Sequence, residues 1–153
     1  MILLDVQYAS QVMEVPSKEQ FRTWLNTVLV DQNYDVEVVI RITDEQEMSQ
    51  LNHRYRQRQG TTNILSFPFE APDQVPVDLL GDLVVCAPVV EQEAMQQGKD
   101  LNAHWAHMII HGALHLLGYD HIKDSEAEAM ENMEVDLLKS IGFPNPYDRV
   151  DLQ

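Results

Sequence analysis

The alternation of apolar and polar residues divides the chain into stretches with the periods of strands and helices. Residues 2–8 alternate with the two-residue period of a half-buried strand, and residues 36–42 form a β-branched run typical of a central strand. Residues 62–67 and 80–87 also predict strands, with a proline-bearing loop between them. Elsewhere apolar residues recur every three or four positions. This pattern predicts helices over residues 17–30, 43–56, 87–98, 100–118 and 125–142.

Capping residues support the ends of these helices. A serine or threonine followed three positions later by Glu or Gln is the capping-box pattern, in which two side chains satisfy free backbone N–H groups. It occurs at Ser17 with Gln20, Thr43 with Gln46, and Ser125 with Glu128. Glycines at positions 98, 118 and 142 follow three of the helices, as expected for left-handed residues at a C-terminal cap.

The predicted order is β-α-β-α-β-β-α-α-α in a chain of 153 residues. A chain of this length suggests one domain, which we expect to span residues 1–153. Strands interleaved with helices indicate an α+β fold, with a four-stranded mixed sheet covered by about five helices. The helix at 100–118 is the most apolar, so we expect it to lie buried at the centre.

The stretch HGALHLLGYDH, residues 111–121, has the spacing of a metal site. His111 and His115 are four residues apart and therefore project from the same face of a helix. Gly118 ends that helix, so the chain can turn and bring His121 back toward the pair. Three neutral imidazoles leave one position of a tetrahedral zinc ion for water, which is the pattern of catalytic zinc sites. We predict one Zn²⁺ per chain, held by the central helix and the following turn.

Two more histidines, His104 and His107, lie on a similar face of the same helix. They could orient a metal ligand or contact a substrate. The plainer alternative makes them core histidines, hydrogen-bonded to backbone or carboxylate groups.

Gly112 occupies the position at which zinc proteases of this spacing carry a glutamate, the base that takes a proton from the metal's water. Amide hydrolysis suffers most from the loss of that base. A phosphodiester needs mainly charge stabilisation on its phosphoryl oxygens, which a metal and an arginine supply. We therefore expect Gly112 to leave space beside the metal for a bulky phosphate ester. The clustered candidates are Arg54, Arg56 and Arg58, although a solvated helix end explains the cluster equally well.

The net charge of −15 argues against a protein that coats nucleic acid through its overall field. However, three of the ten Lys and Arg residues fall within positions 54–58, and acidic residues concentrate at 123–136. A small basic patch on an acidic body indicates local anion recognition. The single cysteine, Cys86, excludes an internal disulfide and fits a reducing cytoplasm, and no apolar run is long enough to span a membrane.

Several strings together resemble the bacterial YbeY family of rRNA-maturation endoribonucleases. The most specific is HGALHLLGYDH itself, and the others are YR (55–56), TNILSFPF (62–69), LLGDLVVC (79–86) and AHWAHMIIHG (103–112). The similarity extends over essentially the whole chain. One difference is that the family often has a Gly-x-Asp-like turn after its arginine, where this chain has Gln57, Arg58 and Gln59.

The resemblance implies a cytoplasmic, zinc-dependent endoribonuclease that cleaves single-stranded RNA, matures the 3′ end of 16S rRNA and takes part in ribosome quality control. Its partners would be 16S rRNA and small-subunit proteins or assembly factors. By position, His111, His115 and His121 match the family's zinc ligands, and Arg56 matches its functional arginine. Gly112 is the family's own residue at that position.

Other polar residues near these motifs have more than one interpretation. Asp82 could support a ligand, contact a partner or cap a turn, and Asp120 could orient a histidine or simply form the turn. Ser66 and Cys86 lie in predicted strands with no neighbouring base in sequence, so we interpret both as structural.

Two other classes of function remain open on the residues alone. A zinc metalloprotease has the same helix–turn ligand arrangement, but Gly112 opposes it. A non-catalytic ribosome assembly factor with a structural zinc would need a fourth protein ligand, which would have to be a histidine or a carboxylate. The acidic surface would suit basic ribosomal proteins.

Overall fold

The computed structural model describes residues 2–30, 35–69, 79–119 and 124–147. Within these ranges nine elements follow the predicted order. They are β1 (Ile2–Ala9), α1 (Lys18–Leu29), β2 (Val36–Thr43), α2 (Glu45–Arg56), β3 (Ile64–Pro68), β4 (Leu79–Cys86), α3 (Ala87–Gln97), α4 (Leu101–Leu116) and α5 (Asp124–Ser140). The predicted α+β class is therefore confirmed, with boundaries shifted by one or two residues at most ends.

The four strands form one mixed sheet in the order β1-β2-β4-β3. β1, β2 and β4 run parallel, and β3 pairs antiparallel with β4. The β-branched run in β2 is central, as predicted, because it pairs with a strand on each side. β3 lies at an edge of the sheet, next to α4, and this position puts its residues beside the histidines of that helix.

Helices cover both faces of the sheet, and α4 is the most deeply buried of them. Eleven of its sixteen residues are buried, which confirms the predicted central helix. It packs against the sheet and against α1, α3 and α5. On the opposite face, Met48 of α2 packs with Leu65, Val84 and Cys86 of the sheet. No helix in the described ranges is long and apolar enough to cross a membrane.

Of the three predicted capping boxes, only the one at Ser17 forms. The Ser17 hydroxyl accepts from the backbone N–H of Gln20, whose side chain accepts from the N–H of Ser17. The prediction at Thr43 is wrong, because Thr43 continues the β2 ladder and α2 begins at Glu45, with Asp44 as its N-cap residue. The prediction at Ser125 is also wrong, since α5 already includes Asp124.

The turn after Arg56 depends on a left-handed residue that is not glycine. Gln57 has φ 54°, and its N–H donates to carbonyl groups of the last turn of α2. A non-glycine residue in this conformation costs about 1–2 kcal/mol. Arg58 follows directly, and its backbone N–H donates to the carbonyl of Asn52, so the turn remains bonded to α2.

Gly112 faces the sheet and not an open space, so the expectation that it leaves room for a substrate is wrong. A Cβ atom at this position would lie 2.7 Å from Ile64 Cδ1 and 2.8 Å from Leu83 Cδ2. It would also lie 3.3 Å from Ser66 Oγ, which donates a hydrogen bond to the carbonyl of Gly112. The glycine therefore lets α4 approach β3 and β4 closely, and a glutamate at this position would point into the sheet and require Ile64 and Leu83 to move.

Replacing Gly112 by alanine should lower the free energy of unfolding by about 1–3 kcal/mol, the usual cost of overpacking a core. At an open helical position the same change would raise it by about 1 kcal/mol, because alanine is the better helix former. Urea denaturation measures the difference. Ile64→Val removes the Cδ1 atom that the new methyl group would meet, so the loss should be smaller in that background. A stabilised Gly112→Ala protein would contradict the close packing.

Candidate metal centre and adjoining cleft

Four histidines follow one another along a single face of α4. His104, His107, His111 and His115 are spaced three or four residues apart, and neighbouring rings meet edge to face. His104 and His107 are buried, whereas His111 and His115 are partly exposed at the C-terminal end of the helix. The row therefore changes from core to surface along the helix.

His111 and His115 direct their Nε2 atoms toward each other, 3.1 Å apart. Two imidazole nitrogens bound to the same tetrahedral zinc ion lie about 3.3 Å apart, given zinc–nitrogen bonds of about 2.0–2.1 Å. The pair is thus already spaced as two ligands of one metal ion. The third predicted ligand, His121, and the turn residue Asp120 lie outside the described residues.

A buried carboxylate from α5 reaches the same helix. Glu134 is 0% exposed, and its Oε1 accepts a hydrogen bond from His111 Nδ1. Its Oε2 lies 2.9 Å from His107 Nε2 and also accepts from the hydroxyl of Tyr147. Burial alone raises the pKa of Glu134, but the hydrogen bonds with the two histidines outweigh it and lower the pKa to about 2. Glu134 is therefore ionised at neutral pH.

Neither Glu134 nor Tyr147 was found from the sequence. The available signal for Glu134 was its place between Met130 and Leu138, four residues away on either side and both buried. A glutamate in an apolar stripe of a helix is a polar residue that needs a partner in the core. No pattern in the sequence pointed to Tyr147.

His107, His111 and Glu134 could together hold a metal ion. One ligand atom from each lies within 4.8 Å of the others, the one such group of three found in the part of the chain that the structure describes. Its members are mostly enclosed, with side-chain exposures of 9% for His107, 26% for His111 and 0% for Glu134. This ligand set and the predicted pair share His111.

His111 and His115 open onto a cleft of about 620 Å³ between α4, β3 and the end of α2. Arg56 and Arg58 line it, together with Gly118, Tyr119 and residues of the β3 segment. Among the described residues that line the cleft there is no carboxylate, although the chain as a whole carries a net charge of −15. Arg54 is exposed and is not part of the lining. Two of the three clustered arginines thus face the histidine pair.

His104 follows the plainer of its two interpretations. Its Nε2 lies 3.0 Å from Glu93 Oε1, and Asn63 donates to the same carboxylate. His107 is likewise bonded to a carboxylate, but that carboxylate also holds His111. His107 is therefore one hydrogen-bonded step from the histidine pair, and His104 belongs to a separate ion pair with α3.

Of the remaining described residues, Ser66 lines the cleft, whereas Asp82 and Cys86 lie on the other face of the sheet. Asp82 lies on the face of the sheet covered by α2, like Val84 and Cys86, so it does not approach the histidines of α4. Cys86 is fully buried, and burial raises the pKa of its thiol. Ser66 bonds the backbone of Gly112. These contacts agree with structural roles for Ser66 and Cys86.

Comparison with known proteins decides the family. The model of the family described as Endoribonuclease YbeY matches residues 5–142. The chain belongs to the YbeY family. The fold is also that of the solution structure of TM1509 from Thermotoga maritima, with a TM-score of 0.60 and 23% sequence identity over 94% of this chain and 99% of that one. The family is described as an endoribonuclease, so membership indicates cleavage of RNA phosphodiester bonds as the class of reaction.

The pair of Glu93 and His104 should contribute to stability in a pH-dependent way. Burial raises the pKa of Glu93, but the hydrogen bonds from His104 and Asn63 outweigh it and lower the pKa below the ordinary 4.5. A carboxylate with a lowered pKa in the folded state stabilises the fold above its unfolded pKa and loses this effect as the pH falls through its folded pKa.

The acid-induced fall in stability below about pH 4.5 should therefore be smaller in Glu93→Gln than in the wild type. Urea midpoints measured at several values between pH 7 and pH 3 test this. Glu91→Gln, on the same helix, is the control and should follow the wild type. An identical pH profile for Glu93→Gln and the wild type would contradict the role given to the pair.

Proposed function

We propose that this protein is a metal-dependent endoribonuclease whose zinc ion is held by His111, His115 and His121 and whose substrate is single-stranded RNA. The observation that carries this proposal is the pair of Nε2 atoms 3.1 Å apart, opening onto a cleft with two arginines. Membership in the YbeY family supplies the reaction class. The role of His121 rests on its spacing in the sequence and on the resemblance.

The donor set of the pair fits zinc. Imidazole nitrogens are ligands that zinc prefers, although nickel and copper compete for such sites during purification. Three histidines would leave one coordination position open toward the cleft. When bound, zinc would act as a Lewis acid on the scissile phosphate or on water.

The residues of the cleft supply binding and charge stabilisation. Arg56, at the end of α2, can form a paired hydrogen bond with phosphate oxygens and offset the charge that develops on them during cleavage. Arg58 adds a second positive charge. Tyr119 is exposed at the cleft and offers an aromatic face on which an unpaired base can stack. Unpaired bases occur in single strands, which favours that form of RNA as the substrate.

The cellular role follows from the family resemblance. We propose maturation of the 3′ end of 16S rRNA and ribosome quality control, with small-subunit proteins or assembly factors as partners. The absence of carboxylates from the described cleft lining supports an anionic substrate on an otherwise acidic protein.

One observation favours peptide hydrolysis as a second candidate. β3 is an edge strand and lines the cleft, so an extended peptide could add to it as a further strand. The packing at Gly112 opposes this candidate, because this chain lacks the glutamate base of the zinc proteases and a side chain at this position would point toward Ile64 and Leu83. Chelator-sensitive cleavage of a peptide panel would support it over RNA cleavage.

A non-catalytic assembly factor is the third candidate, and the enclosed group of His107, His111 and Glu134 favours it. A metal ion held there would be surrounded by protein and structural. Zinc retained by His115→Ala but lost by His107→Ala would support this candidate.

The first test compares cleavage of a single-stranded RNA by the wild type and by His115→Ala, with bound zinc measured in both. We expect RNA cleavage and about one zinc per chain in the wild type, and loss of both in the variant. Chelation should abolish cleavage by the wild type, and added zinc should restore it. Equal cleavage by both proteins would reveal a contaminating nuclease and leave the proposed activity without support.

Arg56→Ala should lower the rate of RNA cleavage about 100-fold, because it removes a positive charge that stabilises the phosphate. The zinc content should stay unchanged, because Arg56 is not a metal ligand. Arg54→Ala is the matched control, two residues away on the same helix and outside the cleft lining. It should cleave nearly as fast as the wild type. If both variants lose activity equally, the arginines act through general attraction of RNA and Arg56 has no special role.

A further inference from the structure

We infer that Glu134 is a positioning residue for the metal ligand His111 and is not itself a metal ligand. Tyr147 completes this arrangement by holding the same carboxylate. The inference rests on the proposed zinc site, and it assigns to α5 and the following segment a part in metal binding.

The carboxylate of Glu134 already has its partners. Oε1 accepts from His111 Nδ1, and Oε2 is shared by His107 Nε2 and the Tyr147 hydroxyl. A fully buried carboxylate is tolerated only when its charge and lone pairs are satisfied in this way. A metal ion bound by Glu134 would compete for the lone pairs that these hydrogen bonds now use, and it would require the ring nitrogens of His107 and His111 to give up the protons that they share with the carboxylate.

Glu134 also decides which nitrogen of His111 carries the proton. Oε1 of Glu134 accepts a hydrogen bond from Nδ1 of His111, so the proton of a neutral His111 lies on Nδ1. The lone pair is then on Nε2, the atom that lies 3.1 Å from His115 Nε2. The hydrogen bond thus fixes the form and the direction of the ring that metal binding needs, and donation to a carboxylate makes the ligand more basic.

The two ring nitrogens of His111 differ in their access to the cleft. The cleft is lined by His111 and His115, and neither His107 nor Glu134 is part of that lining. A metal on the Nε2 side can therefore meet an RNA phosphate in the cleft. A metal between His107 and Glu134 would lie outside the cleft, because Glu134 is 0% exposed and His107 lines a separate cavity of only about 170 Å³. This difference places the catalytic ion at the histidine pair and leaves the carboxylate behind it.

Tyr147 joins the end of the described chain to this network. Its hydroxyl donates to Glu134, and its ring packs edge to face on His107 with centroids 5.4 Å apart. The hydroxyl contacts Oε2, the carboxylate oxygen that His111 does not contact, and so restrains the carboxylate independently of His111. Removing it should weaken the positioning without touching a ligand.

The test measures zinc affinity by competition with a chromophoric chelator in the wild type, Glu134→Gln and Tyr147→Phe. Glutamine keeps the shape of the side chain but loses the charge and one of the two acceptor oxygens. We expect affinity to fall about 10–100-fold in Glu134→Gln and less in Tyr147→Phe. The matched control, Glu131→Gln, changes an exposed glutamate on the same helix and should bind zinc like the wild type.

Cobalt loading gives a readout that a merely structural role would not change. The visible absorption of bound Co²⁺ reports the ligands and their geometry, so the spectrum of Glu134→Gln should keep the wild-type ligand pattern with shifted bands. Unchanged zinc affinity and spectrum in Glu134→Gln would overturn the inference. So would a loss of zinc as complete as in His111→Ala, because that result would make Glu134 a ligand.

Two outcomes separate this inference from the proposed function. If the wild type and Glu131→Gln bind zinc tightly and Glu134→Gln does so equally, only the positioning role fails. If the wild type binds no zinc, the proposed function fails and the inference fails with it. Tyr147→Phe keeps the test decisive should Glu134→Gln not fold, because unchanged affinity and spectrum in that variant would overturn the part given to Tyr147.

Discussion

The close packing of α4 against the edge of the sheet is the constraint on which the site depends. Gly112 permits it, because any larger residue would meet Ile64 and Leu83. With Gly112 packed onto β3 and β4, His111 and His115 line the cleft beside β3. The other ring nitrogen of His111 contacts Glu134 of α5. The same glycine therefore fixes the distance between the histidine-bearing helix and the strand that lines the cleft.

The electrostatics of the chain separate into two environments around His111. Behind it, a buried and ionised Glu134 holds the ring through hydrogen bonds. In front of it, the described cleft lining carries arginines and no carboxylate. An acidic protein thus concentrates positive charge where a phosphate would meet the metal, and the remaining negative charge disfavours nonspecific binding of nucleic acid. Selectivity for a particular RNA would then depend on local contacts in the cleft.

Local sequence patterns predicted which strands and helices form more reliably than they predicted which residues contact one another. The order of strands and helices, the mixed sheet and the buried α4 followed from apolar periodicity, which reports the face that each element buries. The capping boxes at Thr43 and Ser125 failed because tertiary pairing and an earlier helix start overrode a short motif. Similarly, the spacing of His111 and His115 predicted a shared face, since four residues make about one helical turn.

Glu134 could not have been assigned in the same way. It reaches His111 from a helix that begins after the metal motif, and no spacing rule relates residues 23 positions apart on different helices. Gly112 shows a second limit. The sequence shows that the glutamate base of the zinc proteases is missing at this position. It does not show that the glycine contacts β3 and β4, which only the packing reveals. Sequence patterns therefore did not predict the roles of residues that depend on contacts with a neighbouring element.

The most direct test of the account is to locate the metal ion by anomalous diffraction at the zinc edge in crystals of the zinc-loaded protein. The account predicts a single peak about 2.0–2.1 Å from the Nε2 atoms of both His111 and His115, on the side of the cleft, with the Glu134 carboxylate still bonded to Nδ1 of His111. A peak enclosed by His107, His111 and Glu134 would contradict it, and would make the metal centre structural.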